Sequence, residues 1–110
     1  MDLAIGGNIG RRRHVLDKTC MESVGHQHNY DHSTIVVCGG IKVTIRDTAD
    51  GPVESERDYL PGSDPIFIAA KKFHTIKALK DNTVYFCIFS HRDFNGVVTQ
   101  EFMGNTKAYD

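Results

Sequence analysis

Cysteine, a charge surplus and long apolar runs are all in short supply in this sequence. Its three cysteines, Cys20, Cys38 and Cys87, cannot all pair within one chain, and none stands in a Cys-x-x-Cys arrangement. That spacing speaks against a disulfide scaffold or a zinc ribbon and makes a reducing cytoplasm the expected compartment. Thirteen Lys and Arg against 14 Asp and Glu leave a formal charge of −1, so no global positive field recommends nucleic acid as a partner. The single basic run, Arg11-Arg12-Arg13, is too short to change that. No apolar stretch approaches the roughly 18 residues of a membrane span, and no apolar leader opens the chain, so neither a membrane nor export is expected. Internal repeats, low-complexity segments and amphipathic helices longer than two turns are also missing.

What is present is an ordinary globular composition, 40% hydrophobic and 25% charged over 110 residues. Such a length implies one domain with a real core. Short apolar runs alternate with small clusters of Gly, Pro, Asn and Asp, the rhythm of an all-β chain. TIVVC and IKVTI, separated by Gly39-Gly40, predict a hairpin with strands near 33–38 and 41–46. The polar, alternating stretch from Val53 to Leu60 suits an edge strand. Further strands are expected over Ile66 to Ala70, Phe73 to Leu79, Thr83 to Ser90 and Val97 to Phe102, with tight turns at Asp81-Asn82 and Phe94-Asn95-Gly96. So many short strands imply a sandwich or a small barrel. Residues 1–18 form either an added strand or a partner-binding arm, 19–102 the body, and 103–110 a polar tail.

Histidine is the unusual residue: six in the chain, with His26, His28 and His32 inside seven positions. On an extended strand His26 and His28 project from one face, and His32 shares their parity. His74 should face inward with Ile76 and Ala78. Imidazole nitrogen suits iron, nickel, copper and zinc, and manganese less strongly. Four neutral ligands leave the full dipositive charge on the ion, and two open positions in an octahedral site would favour an anionic oxygen ligand. Tyr30 lies between two of these residues and is placed either to hydrogen-bond a ligand or to pack. His91 and Arg92, after an apolar strand, read either as rim groups that bind a carboxylate or shuttle a proton, or as a solvated turn. His14, after three arginines, is expected to be exposed, while Cys38 and Cys87 read as small apolar residues of the interior.

The spacing of these histidines resembles the first motif of the cupin superfamily, G-x5-H-x-H-x3,4-E-x6-G. His26, His28, His32 and Gly39 reproduce it, with His32 where the family usually has Glu and Cys20 where it has the opening Gly. The second motif, G-x5-P-x-G-x2-H-x3-N, is met only at His74; Ser63, Ala69, Lys71 and Ala78 occupy its other positions. The resemblance spans roughly residues 20 to 102. It implies a single-domain jelly-roll β-barrel, with one divalent transition metal ion (Fe, Mn, Ni or Zn) held by His26, His28, His32 and His74. A homodimer is also implied, with the N-terminal segment and IKVTI as its interface. Three functions compete: a metalloenzyme that oxygenates, isomerises or eliminates a small oxygen-rich substrate such as a carboxylate or enediol, a non-catalytic small-molecule or metal-sensing module, and a barrel merely stabilised by its metal. Arg92, His91 and Tyr30 are the expected catalytic groups of the first.

Overall fold

Along the second strand of the chain exposed and buried residues alternate without a break, and this period of two recurs in most of the strands that follow. The computed structural model describes residues 2–23, 25, 27–28 and 30–98. They form eight strands: β1 Asp2–Gly6, β2 Ile9–Leu16, β3 His32–Cys38, β4 Ile41–Arg46, β5 Val53–Tyr59, β6 Ile66–Ile68, β7 Phe73–Ala78 and β8 Thr83–Ser90. All pairing is antiparallel, in a five-stranded sheet ordered β1-β2-β8-β3-β6 and a three-stranded sheet ordered β5-β4-β7. One hydrophobic core joins them: Leu16, Val36, Ile66, Ile68 and Tyr85 from the first sheet meet Ile41, Val43, Ile76 and Ala78 from the second. The architecture is all-β and of jelly-roll type, and among the described residues the two sheets are not closed into one hydrogen-bonded barrel. None of the described residues forms a helix long and apolar enough to cross a membrane.

Two glycines between β-branched strands are the local signature of a hairpin, yet β3 and β4 do not pair. β3 lies between β8 and β6, and β4 lies between β5 and β7 in the other sheet. Gly39-Gly40 is therefore a corner where the chain changes sheets. Gly39 has φ +81°, and a Cβ there would stand 2.2 Å from the Thr83 Oγ1 and 2.8 Å from the Thr83 Cα. Thr83 is fully buried, and its hydroxyl accepts from the Gly40 N–H at 3.3 Å and donates to the Lys80 carbonyl at 2.8 Å. Asp81-Asn82 likewise carries the chain from β7 in one sheet to β8 in the other. The register shift between Val36 and Cys38 turns Cys38 out of the interior, where its thiol meets the Asn82 carbonyl at 3.4 Å; Cys87 alone of this pair packs against the core.

β1 is the edge of the larger sheet and joins β2 through Gly7-Asn8. The arginine run is split by the pleat: Arg11 and Arg13 point outward beside Asp2, and Arg12 points inward at 2% exposure. His14 is buried too, stacked on Tyr85 with ring centroids 4.8 Å apart, so the expectation of an exposed His14 fails. Three charged-looking neighbours suggested solvent, but strand parity decides which side chains face it. β5 is an edge strand, as its alternating polar residues predict, and β4 is central, offering a partner its outer face but no free backbone edge. Val98 forms an isolated bridge with Arg92; residues 99–102 of the expected last strand and the 103–110 tail lie outside the described residues.

Gly39→Ala should cost at least about 2 kcal/mol, since it combines left-handed strain with a clash against backbone; urea denaturation checks this. Asp81 accepts from the Thr19 backbone N–H at 2.8 Å and from its hydroxyl at 3.0 Å, and these bonds, the backbone one first, hold its carboxyl below the ordinary range. Stability from this contact is present above the ordinary carboxylate range and is lost as pH falls through Asp81's own lowered range. Asp81→Asn is therefore expected to lower the melting temperature at neutral pH, with the gap closing in strong acid.

Candidate metal centre

His74 is placed by β7, whose alternation puts it inward at 1% exposure beside Ile76 and Ala78. Its Nδ1 lies 3.1 Å from the Lys72 carbonyl. A carbonyl only accepts, so Nδ1 carries the proton and Nε2 keeps its lone pair for the interior. Lys72 is itself fastened outside, its ammonium 2.8 Å from Glu54 and 3.4 Å from Asp47. The hydrogen bond to Glu54 is the main cause that raises the Lys72 pKa; desolvation opposes it, and the bond to Asp47 adds to the rise. His32 opens β3 and is 4% exposed.

His28 does not share a strand with His32. It belongs to an irregular segment ahead of β3, held by another set of contacts. Residues 20–23 run along the free edge of β7: the Cys20 N–H donates to the Ala78 carbonyl, the Ser23 N–H to the Ile76 carbonyl, and the Ala78 N–H to the Met21 carbonyl, all at 2.8–2.9 Å. Gly25 lies against Phe73, where a Cβ would stand 2.4 Å from the ring. The Lys71 N–H then donates to the His28 carbonyl, and the Ala70 N–H to the Asp31 Oδ1 at 2.7 Å.

The result is a triangle of imidazoles, with ring centroids 5.1 Å apart for His28 and His32, 5.3 Å for His32 and His74, and 5.4 Å for His28 and His74. One nitrogen from each lies within 4.8 Å of the others. His26 lies outside the described residues. Tyr30 closes one side, its ring 4.7 Å from that of His28 and 5.4 Å from that of Phe89. His91 and Arg92 are elsewhere: the His91 N–H donates to the Asn8 carbonyl, the Arg92 N–H to the Asn8 Oδ1, and the exposed guanidinium reaches the Gly96 carbonyl at 3.3 Å. Asn8 in turn lines a groove of ≈ 270 Å³ together with Asp31, His32, Phe67, Phe89 and Ser90. Of the three histidines, His32 lines this groove.

No family model and no curated protein matches the sequence. Solved structures do. Oxalate decarboxylase from Bacillus subtilis is 20% identical with a TM-score of 0.64, over 84% of this chain and 24% of that one. A cupin superfamily protein from Desulfitobacterium hafniense is 18% identical with a TM-score of 0.62, over 82% and 73%. The fold is the cupin fold. KdgF from Halomonas sp. is similar over nearly its whole length, at 20% identity and a TM-score of 0.60, covering 86% of this chain and 92% of that one. The chain spans about a quarter of the length of the oxalate decarboxylase it matches.

Of the three glycine departures from the cupin motifs, those at Cys20 and Lys71, unlike that at Ser63, keep a glycine-like backbone. Cys20 and Lys71, standing where the family has Gly, adopt φ of 73° and 68°, the left-handed backbone that glycine takes without strain. Lys71 uses that turn to reach the His28 carbonyl. Arg12 and His14 are the interior polar groups that the sequence reading passed over. The parity of β2 with Leu16, had that stretch been read as a strand, would have shown both.

Lys71→Gly should raise stability by about 0.5–1 kcal/mol, the left-handed penalty relieved less the extra entropy of unfolded glycine. Lys71→Ala, which keeps a Cβ, should show no such gain in the same denaturation series.

Proposed function

We propose that this chain is a mononuclear metalloenzyme of the cupin fold, with His26, His28, His32 and His74 as ligands and a small oxygen-rich molecule, a carboxylate or an enediol, as substrate. The observation that carries this reading is the triangle of His28, His32 and His74, the first half-buried and the other two buried. Three imidazoles converge on one point, one with its tautomer set by a backbone carbonyl, and this donor set suits Fe, Mn, Ni or Zn. Nitrogen-only ligation fits a catalytic ion with open positions as well as a structural one. B. subtilis oxalate decarboxylase has Mn(II) centres, which supports manganese among the candidates.

When bound, the ion supplies Lewis acidity or redox chemistry to an oxygen ligand. The residues of the chain do the rest. The His74 Nδ1, held by the Lys72 carbonyl, orients its ring, and Phe89 and Tyr30 exclude water from one flank. In this reading the phenol of Tyr30, whose ring lies 4.7 Å from that of His28, holds or passes a proton, and His91 and Arg92 act as rim groups. Oxygenation, isomerisation and elimination all fit this arrangement. A cytoplasmic homodimer, using the β1-β2 segment and the outer face of β4, completes the proposal.

Metal analysis of protein purified without a tag or added metal is expected to find close to one ion per chain, and His28→Ala to reduce it several-fold. Stoichiometric metal unchanged by that substitution would falsify the ligand assignment. Oxygen uptake and product formation with a panel of small carboxylates and enediols then separate the three reaction classes, and a tetrahedral zinc without exchangeable water would favour a structural role instead.

A further inference from the structure

Phe94 is the most exposed large apolar side chain among the described residues, at 98%, and it stands on a firmly built turn after β8. The Asp93 N–H donates to the Val97 carbonyl and the Gly96 N–H to the Asp93 carbonyl, both at 2.9 Å, and Gly96 takes the left-handed φ of +82° that closes the turn. Inside it the Asp93 Oδ1 accepts from the Asn95 N–H at 2.9 Å and from the Val97 N–H at 3.0 Å. The base of the turn is fastened to the β1-β2 connection. There the Asn8 Oδ1 accepts from the Arg92 N–H at 2.7 Å, and the Asn8 Nδ2 donates to the Arg92 carbonyl at 3.1 Å. A ring presented on so ordered a base loses little conformational freedom when it docks.

The same Asn8 borders a socket. It lines the groove of ≈ 270 Å³ whose apolar walls are Ile9, Phe67, Ile88 and Phe89. A cavity of about 150 Å³ with walls of this kind holds a benzene ring, so one phenyl group and its stem fit. Charge is complementary as well. Asp31 is the one Asp, Glu, Lys or Arg lining the groove. On the turn the Asp93 carboxylate is folded onto its own N–H groups, which leaves the exposed Arg92 guanidinium, 3.3 Å from the Gly96 carbonyl, as the outward charge. Knob and socket share Asn8 and so lie side by side at one end of the molecule. A two-fold axis requires that placement: when each copy carries both halves next to the axis, the two contacts form together.

We infer that two copies of this chain pair by exchanging Phe94, the ring of each entering the other's groove between Ile9 and Phe67, and the Arg92 of each approaching the other's Asp31. The inference rests on the homodimer of the reading above, gives it a contact at the β1-β2 turn, and is independent of the metal. Val97, Ile9 and Phe67 are each more than half exposed. Burying them with Phe94 in both copies removes roughly 1,000 Å² from water, the lower limit for a specific interface. The dimer is therefore one that dissociates on dilution. Phe94, an aromatic anchor seated in a pocket, carries most of its energy.

Sedimentation equilibrium of the full chain over a range of concentrations tests this. Wild type is expected to pass from monomer to dimer as concentration rises. Phe94→Asp and Phe67→Lys, both at exposed positions, are expected to weaken association at least about tenfold while the melting temperature stays close to that of wild type. An equimolar mixture of the two variants is expected to regain association, because the intact Phe94 of one chain meets the intact groove of the other and the two introduced charges attract. Should Phe67→Lys fail to fold, Ile9→Lys takes its place under the same criteria. A dimer as strong in Phe94→Asp or in the groove variant as in wild type overturns this inference and leaves the homodimer reading standing. So does a mixture that associates no better than its components. A wild type that stays monomeric at sub-millimolar concentration overturns both, and the metal reading is then judged by its own analysis.

Discussion

The clamping of residues 20–23 onto β7, and of His28 and Asp31 onto the loop before it, is the interaction on which the rest of the site depends. Hydrogen bonds from Cys20, Met21 and Ser23 extend the smaller sheet by an irregular strand, and bonds at His28 and Asp31 then fasten the segment to residues 70 and 71. Without them His28 would hang from a loop whose ordering has an entropic cost at every residue. With them, three imidazoles from three different elements meet at one point. Each of these bonds is worth only about 1 kcal/mol net, so their number matters more than any one of them.

The left-handed residues show how narrow the tolerance is. Cys20 begins the clamped segment and Lys71 ends the loop that holds it, and both sit in a backbone conformation that their side chains disfavour. A non-glycine residue in that region is strained by roughly 1–2 kcal/mol, and such strain persists only where the surroundings over-determine it. Here they do so twice, on opposite sides of His28.

How much of this could be read from the residues varied with the range of the interaction. Strand positions from β3 onward were legible, because the alternation of β3, β4 and β7 and the aromatic, β-branched run of β8 are local signals. The inward parity of His74 with Ile76 and Ala78 followed from the same rule. The spacing of His26, His28 and His32 pointed to the right region for a different reason than the one assumed: not one strand with three rings on a face, but a strand residue and an irregular segment folded back on β7. Arg12 and His14 were missed because a run of charged residues suggests solvent until the pairing partner of the strand is known.

The amino-acid order alone determined the all-β character, the approximate strand boundaries and the concentration of imidazole around one motif, since each is a property of residues within a few positions of one another. Tertiary structure decided which sheet each strand joined. Gly39-Gly40 serves a hairpin and a corner equally well by local chemistry, and the choice fell to the hydroxyl of Thr83, which binds Gly40 across 43 positions of sequence. It also decided which polar side chains were drawn inside. Which face of β2 is buried depends on the sheet it joins, and the strand that pairs with it, β8, is far along the chain.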